Sequence, residues 1–186
     1  MYLHLELKTM ATERLTEAVA RLNYLHTLMS RTPGFVDAQI CEFLGNPGQY
    51  LVIRTWLDQA SHQAYRQSDA SKTFAASRPA HFIYDNLAVQ EWLTVAETPG
   101  TAAGDYVVRE LHDVTNWESF AASMQNRGPA GSRAFRMLAK EGADDTQALV
   151  LQRWPDRAAY VASLEGAPKS DAALIECYAV VDEVLP

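Results

Sequence analysis

The chain repeats itself, and no other feature limits its fold so sharply. Tyr-Leu-Val-Ile-Arg-Thr-Trp-Leu-Asp-Gln-Ala at 50–60 returns as Ala-Leu-Val-Leu-Gln-Arg-Trp-Pro-Asp-Arg-Ala at 148–158. Leu51/Leu149, Val52/Val150, Trp56/Trp154, Asp58/Asp156 and Ala60/Ala158 coincide at one constant offset. The openings of the halves correspond more loosely, Tyr2–Lys8 with Tyr106–His112, through Glu6/Glu110 and Leu7/Leu111. Pro33-Gly34 ahead of one strand corresponds to Ala130-Gly131 ahead of the other. Between the halves, Glu97-Thr98-Pro99-Gly100-Thr101-Ala102-Ala103-Gly104 has Pro, Gly and small residues without an apolar period, which reads as a linker. The expected organisation is a first repeat over 1–96, a linker over 97–104 and a second repeat over 105–186. A chain of 186 residues accommodates two such domains of about 90 residues each.

Each half spells one element string. Tyr2 to Leu7 alternates and predicts a strand. Thr12 to Ser30 predicts a helix, with Leu15, Val19, Leu22, His26 and Met29 on one buried face, and Pro33-Gly34 ends it. Phe35–Leu44 and Gln49–Trp56 flank the turn Asn46-Pro47-Gly48 and predict a hairpin. Asp58 is placed to cap a helix through Ala60 to Gln67, further helix runs to about Ser77 and ends before Pro79, and Phe82–Thr94 predicts the last strand. The second half follows with strands at 106–111, 133–140, 147–154 and 175–184, a helix opened by Thr115 with Glu118 in capping-box spacing, and a helix from Asp156. The order β-α-β-β-α-β is the ferredoxin-like unit, whose antiparallel sheet carries helices on one face only. Its other face has to be covered. The expected fold class is therefore α+β: two tandem ferredoxin-like repeats forming an intrachain dimeric α+β barrel.

Charge and composition remove several function classes. Sixteen Lys+Arg against 23 Asp+Glu give a net charge of −7, without the basic stripe that nucleic-acid binding needs. No stretch approaches the roughly 20 apolar residues of a membrane span. Met1–Glu6 has no charged-then-apolar signal pattern, which predicts a cytoplasmic protein. Cys41 and Cys177 stand alone in apolar runs and predict buried thiols. His-x-His, His-Glu-x-x-His and carboxylate triads do not occur, so no metal site is expected. Gly-x-Ser-x-Gly, dinucleotide and phosphate-loop patterns do not occur either, which disfavours hydrolases, dehydrogenases and NTPases.

Pro33-Gly34-Phe35, the hairpin, a strand ending Trp56-x-Asp58-x-Ala60, and a helix with His62 and Tyr65 together resemble the antibiotic biosynthesis monooxygenase family. Ala148–Ala158 resembles it more weakly, so the resemblance spans two tandem domains. It implies oxidation of polycyclic aromatic polyketides by dioxygen, with neither metal nor bound flavin required. Tandem relatives that open or contract rings imply reduced flavin as an alternative assistant. In the haem-degrading branch the aromatic position is Tyr65 here, but the iron-ligating position is Ala75, with Ser163 and Ala173 in the second half. Haem is therefore less expected than no cofactor, unless His81 substitutes.

Cofactor-free oxygenation needs a proton acceptor, donors for the substrate oxyanion and a dry aromatic pocket. Val52, Arg54 and Trp56 share one strand face. The resemblance puts Trp56 and Val52 on the substrate cavity, with Val52 where the family has Asn. Arg54 lies between them as a candidate oxyanion partner. His62 and Tyr65, three apart on a helix, share a face, and either is a candidate base. His81 is a candidate at the pocket mouth. At matching offsets the second half has Gln152, Tyr160 and Ser163 for Arg54, His62 and Tyr65, which predicts one working pocket, in the first half. The expected function is an oxygenase for a polyketide-type phenol, anthrone or hydroquinone. Its expected partners are that small aromatic substrate, a flavin reductase where reduced flavin assists, and a second copy in a homodimer of pseudo-dimers. An aromatic polyketide cyclase, or a haem- or ligand-binding protein of the same fold, are the alternatives.

Overall fold

The structure, a computed structural model, describes residues 1–77, 84–98, 104–125, 134–140, 147–165 and 170–185. Its elements are β1 (Tyr2–Met10), a short 3-10 turn (Thr12–Arg14), α1 (Leu15–Ser30), β2 (Phe35–Phe43), β3 (Gln49–Trp56), α2 (Gln59–Gln67), α3 (Asp69–Ala76) and β4 (Tyr84–Thr98). There follow β5 (Tyr106–Asp113), α4 (Trp117–Gln125), β6 (Ala134–Lys140), β7 (Gln147–Trp154), α5 (Arg157–Leu164) and β8 (Leu174–Val184). The class is α+β, with the ferredoxin-like order run twice, as the repeat predicts.

Two compact units result, Met1–Glu91 with Val181–Pro186, and Trp92–Val180. In the first, β3 lies antiparallel between β1 and β2, with Tyr2 opposite Trp56 and Ile40 opposite Val52. In the second, β7 lies between β5 and β6, with Tyr106 opposite Trp154 and Met137 opposite Val150. The last strand of each repeat runs on past its own unit. β4 extends to Thr98, inside the expected linker, and its half from Trp92 pairs with β6. The end of β8 belongs to the first unit, where Asp182 accepts from Asn23 and Glu183 from Gln39.

Local chemistry explains the boundaries. Asp58 accepts from the Ser61 amide and Asp156 from the Ala159 amide, so the repeated Asp is a helix cap in both copies. The helix expected to Gln67 and the further helix expected to about Ser77 are α2 and α3, divided where Ser68 takes an extended conformation and its hydroxyl caps α3 through the Ser71 amide. The cap of α4 is Asn116, accepting from the Ser119 amide, rather than Thr115. Gly34 has φ +88°, and a Cβ there would stand 2.2 Å from Ser61 Oγ, so the strand can enter under α2 only with glycine.

α1 packs its buried face on the first sheet: Ala18 and Leu22 meet Met10, Ile40, Tyr50 and Val52, while Leu25 and Met29 meet Tyr2, Phe35 and Trp56. Cys41 is buried and Cys177 half-buried. Among the described residues no helix is long and apolar enough to cross a membrane.

Candidate functional site

The register of β1 on β3 builds the site. Tyr2, His4, Glu6 and Lys8 alternate along β1 and stand opposite Trp56, Arg54, Val52 and Tyr50. Side chains two apart share a face, so a polar row on β1 meets the Arg54 row of β3 beneath α1 and α2. Glu6 is its centre. Its Oε2 lies 2.7 Å from Arg54 Nη1 and 2.9 Å from Lys8 Nζ, and its Oε1 3.3 Å from His4 Nε2. Burial alone would raise the Glu6 carboxyl, but Arg54, His4 and Lys8 hold it far below the usual carboxylate range.

Arg54 Nε donates to His26 Nε2 at 3.2 Å. A guanidinium only donates, so that imidazole nitrogen carries a lone pair and His26 is neutral. Burial and the Arg54 charge push it down to about 3. Lys8 also donates to Asn86 at the start of β4 and lies 4.2 Å from the Tyr84 ring centroid.

Above this network lies a layer of rings. His62 stacks 4.8 Å from His4, 5.2 Å from Tyr2 and 5.6 Å from Trp56, and Tyr65 lies 5.6 Å from Trp56. Phe35 meets Trp56 edge-on. His62 is 4% exposed. Its pKa is pushed down to about 4, first by burial and then by His4, so the imidazole is neutral near pH 7. Burial raises Tyr65, only partly offset by Arg54, so its phenol keeps its proton. Trp56 Nε1 and Tyr65 Oη are both buried with no hydrogen-bond partner. Each such group costs about 1–3 kcal/mol while unpaired. Trp92 Nε1 is also unpaired among the described residues; what sets Trp56 apart is its contact with both the neutral His62 imidazole and Tyr65.

Residues 1–77 match the antibiotic biosynthesis monooxygenase family. That matched segment contains His4, Glu6, Lys8, His26, Arg54, Trp56, His62 and Tyr65. In structure, a candidate monooxygenase from Fusobacterium nucleatum is similar over 99% of this chain and 94% of its own, at 12% identity and a TM-score of 0.74. An anthrone oxidase-like protein is similar over 99% and 93%, at 11% identity and a TM-score of 0.56. A candidate chlorite dismutase is similar over 97% and 94%, at 12% identity and a TM-score of 0.65. At these identities the likeness is one of fold. No curated protein matches the chain in sequence.

Within the matched segment the structure sets Trp56 against both His62 and Tyr65. Arg54 lies beneath them, 3% exposed, with its Nη1 2.7 Å from Glu6 Oε2 and its Nε donating to His26. Val52 sits apart, in the apolar cluster with Leu22 and Ile40. His81 lies outside the described residues. Ala75, the position to which the resemblance assigns the iron ligand of haem-degrading members, is on α3.

His4, Glu6, Lys8 and Glu91 are the residues that sequence reasoning passes over. The signal was present, since His4-Glu6-Lys8 is a polar row at strand spacing. Such a row ordinarily faces water, whereas here both faces of β1 are covered: Leu3 and Leu5 are buried on one and Lys8 on the other.

Proposed function

We propose that the first repeat is an oxygenase for an electron-rich polycyclic aromatic substrate of polyketide type: a phenol, anthrone or hydroquinone. One observation carries the reading: Trp56 lies 5.6 Å from both a buried, neutral His62 and Tyr65, and the Trp56 and Tyr65 donors have no partner among the described residues. A planar substrate ring stacks on Trp56, and its oxygen takes the Trp56 Nε1–H and Tyr65 O–H bonds. His62 accepts the substrate proton. Its low basicity rises once an anion forms beside it, so the proton moves as the anion is made. Tyr65, raised by burial, serves as a donor rather than as the base.

The substrate anion is the electron source for dioxygen. For an anthrone, a methylene carbon becomes a carbonyl: one oxygen atom enters the product, the other leaves as water, and the substrate supplies all four electrons. No metal or bound flavin is needed for that balance, and reduced flavin from a reductase is the alternative donor for substrates that do not donate readily. The second repeat lacks these groups and serves as scaffold.

The test is oxygen consumption by chelator-treated protein given an anthrone or a polycyclic hydroquinone, with and without a flavin-reductase couple. Uptake without flavin that is lost in His62→Phe and Tyr65→Phe supports the reading. Uptake only with reduced flavin supports its flavin-assisted form. Substrate binding without uptake in either arm contradicts it and favours a cyclase.

A further inference from the structure

Two groups beside His62, His4 and Glu91, are not used by that reading. His4 on β1, His62 on α2 and Glu91 on β4 converge from three elements, with their ligand atoms within 4.8 Å of one another. The orientation of His4 is the telling detail. Its Nε2 faces Glu6, 3.3 Å away. Glu6, ion-paired with Arg54 and Lys8, only accepts, so His4 carries its hydrogen on Nε2. His4 Nδ1 is buried, has no hydrogen-bond partner among the described residues and lies 3.6 Å from Glu91 Oε1, so an ion held between them would be bound by both. The His62 ring stands 4.8 Å from the His4 ring. A carboxylate holding the far nitrogen of a ligating imidazole is the usual support of a metal-bound histidine.

We propose that His4 Nδ1, His62 and Glu91 bind one divalent first-row transition ion, with Glu6 orienting His4. Two imidazoles and one carboxylate suit zinc, iron(II) or copper(II) and leave coordination positions open. Bonds of about 2.0–2.2 Å require ligand atoms about 3 Å apart. The exposed Glu91 side chain supplies most of that closing movement. The inference goes beyond the oxygenase reading and competes with it at one atom: the His62 lone pair that binds a metal is not available for a substrate proton.

The test is calorimetric titration of tag-free, metal-stripped full-length chain with Zn(II), alongside electron paramagnetic resonance of the Cu(II) form. The expected result is one ion per chain, with Cu(II) hyperfine structure from two imidazole nitrogens. Affinity falls at least tenfold in Glu91→Gln, a surface change that leaves the core alone, and His62→Phe removes one nitrogen from the spectrum. Glu6→Gln weakens binding by about 10–100-fold, the usual effect of losing such a support. Absence of saturable binding, or binding unchanged in both Glu91→Gln and His62→Phe, overturns the proposal. Neither readout depends on oxygen uptake, so its failure and that of the oxygenase reading are separable.

Discussion

The two repeats hold a carboxylate at one place in one register, and they use it differently. Glu6 opposes Val52 as Glu110 opposes Val150, and Tyr2 opposes Trp56 as Tyr106 opposes Trp154. In the second repeat the polar groups close on themselves. Trp154 Nε1 donates to Gln152 at 3.1 Å, Gln152 donates to Glu110 at 3.2 Å, and His112 lies 3.1 Å from the other Glu110 oxygen. Tyr160 takes the place of His62 and packs on Tyr106 and Trp154, and Val108 takes the place of His4. In the first repeat Arg54 replaces Gln152. An arginine offers no acceptor, so the Trp56 indole loses the partner its twin has. One exchange thus accounts for both the buried ion network and the unpaired donor. A scaffold duplicated in one chain keeps one copy satisfied and leaves the other with bonds for a ligand to complete.

The largest expected break in this comparison is at the carboxylates. Glu6→Leu strands two buried cations and costs about 3–5 kcal/mol, whereas Glu110→Gln keeps an amide for its bonds with Gln152 and His112 and costs about 1–3 kcal/mol. Urea denaturation of the two variants measures the difference. Next comes activity: His62→Phe lowers oxygen uptake about 10²–10⁴-fold, the usual worth of a positioned proton acceptor, and Tyr160→Phe leaves it unchanged.

Acid separates the repeats further. His26 faces Arg54, Glu6 and Lys8 and is held neutral, at about 3 against 6.5 unfolded. The folded state therefore binds fewer protons, so this contribution is present above pH 6.5 and is lost as pH falls toward 3. It amounts to about 2 kcal/mol between pH 7 and 5. Across that range His26→Gln, which keeps an acceptor for Arg54, flattens the denaturation midpoint by that amount. The smallest expected effect has a sign. Trp→Phe opens a similar gap in each repeat, but only Trp154→Phe breaks a hydrogen bond. It is the more costly of the two by about 1 kcal/mol, read as a difference in midpoints.

Sequence carried the architecture because both repeats show their periodicity and their capping Asp. β3 and β7 fall within the expected residues, and β4 overruns because nothing local stops a strand before Pro99. The ring layer was partly legible: Trp56, His62 and Tyr65 lie on one strand end and the next helix, where spacing decides proximity. The network beneath was not. His4, Glu6, Lys8 and Glu91 meet Arg54 and His26 through strand pairing and helix packing between distant segments, and a polar row on a strand does not announce that helices cover it. Val52 shows the converse, since a family cavity position here became core once its side chain was apolar.

The most direct test of the asymmetry is the indole region of an amide–proton correlation spectrum. The chain has four tryptophans, assigned by single Trp→Phe variants, and the spectrum is recorded with and without an anthraquinone ligand. The account predicts that the Trp56 indole signal moves on ligand addition while the Trp154 signal stays in place. Movement of Trp154 with Trp56 unchanged, or equal movement of both, would contradict it.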